Sequence, residues 1–210
     1  MEAVQNPNQT QGAYPYADLA VECPAKSDRL TVFFRIFCAI PICILLSLVV
    51  GTATNKGVVI GGGFLFLPLL LAIVFRNKYP RAWFDWILYL SKFGTRVCSY
   101  IFLLRDEYPA IEDEQAVRLG LRYPNVHEEL HRGMPLVKWF LAIPHYFILL
   151  FLFIAVLFVT TVAWFAILFA GRYPAGLHAF VVGVFRWGLR VNAYALLLLT
   201  DKYPPFSLKR

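Results

Sequence analysis

The feature that most constrains this chain is an apolar run from Leu136 to Phe169, 34 residues interrupted only by Lys138, Pro144 and His145. About 20 apolar residues suffice to cross the ~30 Å hydrocarbon core of a bilayer. The first half holds a similar region, in which Val32–Val50 and Val58–Phe75 flank the turn-rich stretch Gly51–Gly57. Composition agrees: 59% of residues are apolar, 16% are charged, and the mean hydropathy is +0.60. Soluble domains run nearer 45–50% and about 25%, so the excess faces something other than water. A length of 210 residues leaves no room for a large soluble catalytic domain beside the membrane region.

The chain reads as a duplication. Lys78-Tyr79-Pro80 is matched 94 positions later by Arg172-Tyr173-Pro174. At the same offset Lys92 falls on Arg186, Gly94 on Gly188, Arg96 on Arg190, Val97 on Val191 and Tyr100 on Tyr194. After a one-residue slip Asp106-Glu107-Tyr108-Pro109 aligns with Asp201-Lys202-Tyr203-Pro204, and upstream Arg35 to Pro41 aligns with Lys138 to Pro144. The organisation expected is a disordered polar tail over 1–13, a first membrane repeat over 14–111, an acidic linker over 112–122 and a second repeat over 123–208. The tail lacks the basic start and apolar stretch of a secretory signal. Cys23, Cys38, Cys43 and Cys98 form no C-x-x-C pair and read as small buried hydrophobes.

These residues resemble a bacterial, mostly actinobacterial, membrane-protein family known as domain of unknown function 4389. The second unit carries the closer likeness: Ala142-Ile-Pro-His145, Phe165 to Phe169, Gly171-Arg-Tyr-Pro174, Arg186-Trp187, Arg190-Val191, Ala193-Tyr194 and Thr200 to Phe206. The first unit departs from it, with Ile42 in place of the histidine and Asn77 in place of the glycine. The resemblance implies an architecture and a bacterial plasma-membrane setting, and no activity.

Each apolar region is expected to be a helical hairpin or one long span, followed by an amphipathic helix, giving an all-α integral membrane fold. Basic residues stand at both ends of each region: Lys26, Arg29 and Arg35 then Arg76, Lys78 and Arg81, and Arg132 and Lys138 then Arg172. By the positive-inside rule that favours hairpins, with both termini and the linker cytoplasmic. The amphipathic segments are Arg81–Leu104 and Ala175–Leu199. If they crossed the bilayer, Lys92, Arg96, Arg186 and Arg190 would together cost on the order of 10–14 kcal/mol, so an in-plane position is the cheaper one.

Those four cations are the candidate site. Each pair stands at i,i+4, where like charges repel slightly, and a shared lipid phosphate would reverse the sign at about 1 kcal/mol per basic residue. The competing motif is His127-Glu128-Glu129-Leu130-His131, an H-E-x-x-H that on a helix would face two imidazoles toward zinc with Glu128 as base. It sits in a segment of about ten residues between Pro124 and Pro135, within a stretch from Arg105 to Arg132 that holds 7 of the 13 acids. That is a poor setting for a zinc cleft. Gly57 to Gly61 is either a helix-contact G-x-x-x-G or a membrane-edge turn. Tyr79, Tyr108, Tyr173, Tyr203, Trp83, Trp86, Trp139 and Trp187 fit an aromatic belt.

No phosphate loop, nucleophile elbow or intramembrane carboxylate pair is present, which argues against nucleotide hydrolysis, acyl transfer and proton-coupled transport. Nucleic acid would need a basic patch clear of the spans. The first expectation is a non-enzymatic structural or accessory subunit, without cofactor or metal, whose partners are the lipid bilayer and other membrane-protein subunits or a second copy. The alternative is an anionic-phospholipid-binding, membrane-organising protein, and the third a zinc-dependent hydrolase using the linker.

Overall fold

The computed structural model describes residues 14–24, 26–50, 62–76, 78–110, 115–131 and 133–209. In chain order these form β1 (Ala17–Val21), α1 (Arg29–Val50), α2 (Gly62–Arg76), α3 (Arg81–Ile101), β2 (Val117–Leu121), α4 (Val126–Glu129), α5 (Met134–Ala170) and α6 (Ala175–Ala195). The expected tail over 1–13, the turn Gly51–Gly57 and the Gly57–Gly61 motif lie outside the described residues.

The second apolar region is one unbroken helix. At 1.5 Å per residue, the 37 residues of α5 extend for about 55 Å. Of the two forms expected there, a hairpin or one long span, the structure has the single helix, and the reason is local. Between His145 and Ala170 the sequence has no Gly, Pro, Asn or Asp with which to turn, and Pro144 is tolerated inside the helix. A single stripe of α5 is buried: Pro135, Lys138, Ala142, His145, Val156, Ala163 and Ile167, with Leu149, Leu152 and Val159 half-buried along it. Spacings of three and four keep these on one face. Toward its start the stripe meets Trp187, Val191, Tyr194 and Ala195 of α6; toward its end it meets Val181, Val182 and Val184. So α6 folds back antiparallel along α5. Ala142 and Ala163, both fully buried, let the helices approach closely.

The remaining faces of α5 carry exposed apolar residues from Leu136 to Phe169, among them Phe140, Phe147, Phe151, Phe158 and Phe165. This helix alone, among the described residues, is long and apolar enough to cross a membrane. α1 begins where α5 ends, since Arg29 Nη2 donates to the Phe169 carbonyl at 3.2 Å. α2 packs near the other end, with Leu69 and Ile73 in a cluster with Val126 and Leu130. Cys38 and Cys43 point outward from α1, Cys23 is exposed and Cys98 half-buried, all unpaired; the buried position expected of them is therefore corrected.

The fold is mostly helical but not all-α. β1 and β2 pair antiparallel in a register centred on Leu19 opposite Leu119, with Ala17 opposite Leu121 and Val21 opposite Val117. Both strands alternate apolar residues with others, the period of a half-buried strand. β2 lies within the stretch 112–122 expected to be an acidic linker. Leu19, Val117 and Leu119 face inward onto Leu88 of α3 and onto Phe185 and Leu189 of α6. Arg118 and Gly120 face outward and are exposed. The molecule is thus layered: a strand pair, then α3 and α6, then the long helices α1, α2 and α5.

The ends of the middle helices are alike. Pro80 and Pro174 take the N-cap positions of α3 and α6 with nearly the same backbone angles, their fixed φ suiting a helix start. Past the C-termini, Leu103 and Leu198 adopt positive φ, 64° and 52°. That geometry costs a non-glycine residue about 1–2 kcal/mol, and deep burial of both side chains offsets it. α5 instead ends on Gly171 at φ 68°, whose N–H donates to the Ile167 carbonyl at 2.8 Å. A Cβ there would meet the mobile end of Arg29 at 3.4 Å, so the backbone carries the cost. Gly171→Ala is expected to lower stability by about 1–2 kcal/mol, read as an earlier midpoint in detergent-phase unfolding; an unchanged midpoint would refute the left-handed cap.

Candidate functional site

Cations of the long helices and acids from the turns after α3 and α6 gather in two buried clamps. Lys138, one turn into α5, is fully buried. Its Nζ lies 2.7 Å from Asp201 Oδ1, donates to the Thr200 carbonyl at 2.8 Å, and stands 5.3 Å from the centre of the Tyr194 ring. Asp201 also accepts from the His131 N–H at 2.7 Å. Arg35, two turns into α1, is built the same way. It is buried, pairs with Asp106, donates to the Tyr100 carbonyl at 3.2 Å and lies over the Tyr100 ring at 4.7 Å. Each clamp ties the start of a long helix to the chain leaving the amphipathic helix. A cation this deep is tolerable only with a carboxylate, carbonyls and a ring face around it.

Beside the Lys138 clamp lies an aromatic box. His145 is fully buried, stacks on Phe206 at 4.0 Å between ring centres, and has Tyr203 at 4.8 Å. Its Nδ1 accepts from Trp187 Nε1 at 3.2 Å. A ring nitrogen that accepts holds no proton, so in the neutral ring the proton sits on Nε2. Among the described residues that nitrogen has no hydrogen-bond partner. The corresponding place in the first half is apolar: Ile42 packs with Phe93 and Val97. The short sequences that read separately along the chain (A-I-P-H, R-W and T-D-x-Y-P-P-F) thus meet at one place.

The four cations expected to bind a lipid phosphate are not gathered on a common anion. Arg186 donates through Nε and Nη2 to the Leu19 carbonyl of β1 at 3.1 and 3.0 Å. Arg190, buried, donates to the carbonyls of Ser207 and Lys209 in the C-terminal tail. Arg96 donates to the Ala110 carbonyl at 2.5 Å. Lys92 stands 5.9 Å from the Tyr89 ring centre. Three of the four therefore hold main chain, and a phosphate would have to displace carbonyls to reach them.

The H-E-x-x-H segment does not form the helix its chemistry needs. α4 covers only Val126–Glu129, and Leu130 is already extended, so His131 lies beyond the helical face of His127. Glu129 receives the Tyr16 hydroxyl at 3.2 Å and the Asn125 N–H at 3.0 Å and pairs with Arg122 at 3.3 Å. The side chains of His127 and Glu128 are outside the described residues. Among the described residues no group of three or more His, Cys, Asp or Glu is placed to hold a metal ion.

Tyrosines tie the layers together. The Tyr79 hydroxyl donates to the Leu197 carbonyl at 3.0 Å, and Tyr123 donates to the Tyr79 carbonyl. Burial, and then the nearby Tyr123, push the Tyr79 phenol above its ordinary value; burial pushes Tyr173 up to about 12. Both stay neutral at any physiological pH, so the Tyr79 hydroxyl keeps the proton that it donates. A mainly apolar hollow of about 820 Å³ opens between α1, the end of α3 and α5, bordered by Val32, Ala39, Ile101, Thr160 and Trp164, with Arg35 at its polar side.

Sequence reasoning aligned Arg35 with Lys138, Tyr100 with Tyr194 and Asp106 with Asp201 without joining them. Their recurrence as a set was the available signal, because a cation, an aromatic and an acid that recur together are candidates for one cluster. Residues 134–207, about a third of the chain, match the model of the family described as Domain of unknown function (DUF4389). No curated protein and no solved structure matches the chain.

Removing one partner of a buried pair costs about 3–5 kcal/mol, whereas an apolar replacement of both is often close to neutral. Asp201→Leu is therefore expected to lose about that much stability, and Lys138→Met/Asp201→Leu distinctly less; equal losses in detergent-phase unfolding would count against the clamp. The box gives a parallel case. His145→Ala leaves the Trp187 N–H buried and unpaired, at about 1–3 kcal/mol beyond the lost packing. His145→Ile/Trp187→Phe, which installs the first half's residues, is expected to recover most of that loss.

Proposed function

We propose that this chain, matched over residues 134–207 to a domain family of unknown function, is a non-enzymatic structural or accessory subunit of a membrane assembly. In this reading it is a tandem duplication whose two halves are embedded with the same sidedness. The observation that carries the proposal is the use of its buried polar groups. Arg35, Lys138, Arg186 and Arg190 are all spent on carbonyls and carboxylates of the same chain, as befits a scaffold. What it offers outward is apolar, along the exposed residues of α1 and α5, and exposed apolar surface of this extent marks contact with lipid or protein.

The duplication is supported by recurrences that sequence alignment alone does not require. The cation, tyrosine and aspartate of each clamp recur, as do the proline N-caps and the left-handed leucines. The test is purification from the native membrane in mild detergent, with mass spectrometry and a measured molar mass. A stoichiometric partner or a second copy is the expected result; a lone monomer would overturn the subunit reading.

A further inference from the structure

We infer that the chain lies in one leaflet of the membrane, its long helices parallel to the bilayer plane, rather than crossing it. This rests on the membrane-embedded reading above and adds an orientation that neither the match nor the apolar composition contains.

The first ground is length. From Trp139 to Ala170, α5 carries 32 residues without a formal charge, about 48 Å at 1.5 Å per residue. A hydrocarbon core is only about 30 Å thick, so an upright α5 would leave a large apolar excess in water.

The second ground is where the strands sit. Arg186, near the middle of the 21-residue α6, donates to Leu19, the middle residue of β1. Phe185 and Leu189 pack under the same strand. The strand pair therefore covers the central part of α6, which itself lies along α5. Were these helices upright, the pair would be at mid-bilayer, bringing Asp18, Arg118 and Glu22 with it. Open sheet edges do not survive facing hydrocarbon, and charges there are costly. With the helices laid flat, the layers instead match the membrane in order. Exposed Phe, Leu and Ile of α1 and α5 lie in the acyl region, α3 and α6 at the interface, and the strand pair in water.

The third ground is the charge at the two ends of α5. Exposed Lys26, Arg29 and Arg172 border a hollow at its C-terminal end. Exposed Arg76 and Lys78 border another beside Tyr123 and Asn125, near its N-terminal end. In the flat orientation both groups reach headgroup phosphates of the same leaflet.

Three glycines with open space at the Cβ position, Gly120, Gly133 and Gly176, provide the test. Each is replaced singly by Cys in the full chain with Cys23, Cys38, Cys43 and Cys98 changed to Ala. Right-side-out and inverted bacterial membrane vesicles are then treated with a membrane-impermeant maleimide. Gly133→Cys and Gly176→Cys, at opposite ends of α5, are expected to label in the same vesicle orientation as Gly120→Cys on the outer face of β2, at least tenfold above the other orientation. Arg172→Cys is the second probe should Gly176→Cys fail to accumulate. Failure of either end of α5 to label from the side that labels Gly120→Cys would overturn the flat orientation. Release of the wild-type protein by alkaline carbonate is a separate result, and would overturn the membrane-embedded reading itself.

Discussion

A buried carbonyl needs a donor, and where the chain leaves a helix or runs along the edge of a sheet that donor has to come from elsewhere. This protein has four such places: the middle of β1, the turn after each amphipathic helix, and the C-terminal tail. At each of them a cation supplies the donor. Arg186 takes Leu19, Arg35 takes Tyr100, Lys138 takes Thr200, and Arg190 takes Ser207 and Lys209. Hydrogen bonds from a charged donor are worth about 1.5–3 kcal/mol, more than a neutral pair gives. They also fix which segment lies on which helix. The net charge of +7 is thus partly internal fastening.

Much of this arrangement is legible in the sequence. The long apolar helix, the two amphipathic helices and their turns follow from periodicity and from the Tyr-Pro dipeptides. The strands do not. Five residues such as Val117 to Leu121, beside a run of acids, look like connector until something covers their apolar face, and what covers it is Leu88, Phe185 and Leu189, far away in sequence. The clamps are hidden for the same reason. Lys138 and Thr200 are 62 positions apart and Arg35 and Asp106 are 71 apart, and no local spacing rule spans such distances. The stripe of four cations illustrates the converse. Its helical spacing is real, yet the face it marks points into the protein, toward β1 and the tail, as much as toward the membrane surface.

The two halves differ where the second has His145 and Trp187 and the first has Ile42 and Phe93. The apolar version needs only volume. The polar version needs a matched pair, because a buried indole N–H without an acceptor is costly, and it leaves Nε2 of His145 without a partner among the described residues. A scaffold built for packing alone gains nothing from that exchange. The same spot receives Phe206 and Tyr203, so the box pins the segment that follows α6 against α5 and α6.

The strands set a limit on how far the halves are independent. β1 belongs to the first half but lies on α6 of the second, while β2 lies against α3 of the first. The Tyr14 hydroxyl donates to the Lys202 carbonyl and Tyr79 to Leu197, again from one half to the other. A two-stranded ribbon is marginal by itself, so each strand needs both its partner and the helix across from it. Residues 134–207 taken alone contain α5 and α6 but neither strand. They would leave Phe185 and Leu189 uncovered on the strand-facing side of α6 and Arg186 without its carbonyl. In this chain the first half closes that face, bringing the Leu19 carbonyl to Arg186 and the apolar side of β1 to Phe185 and Leu189.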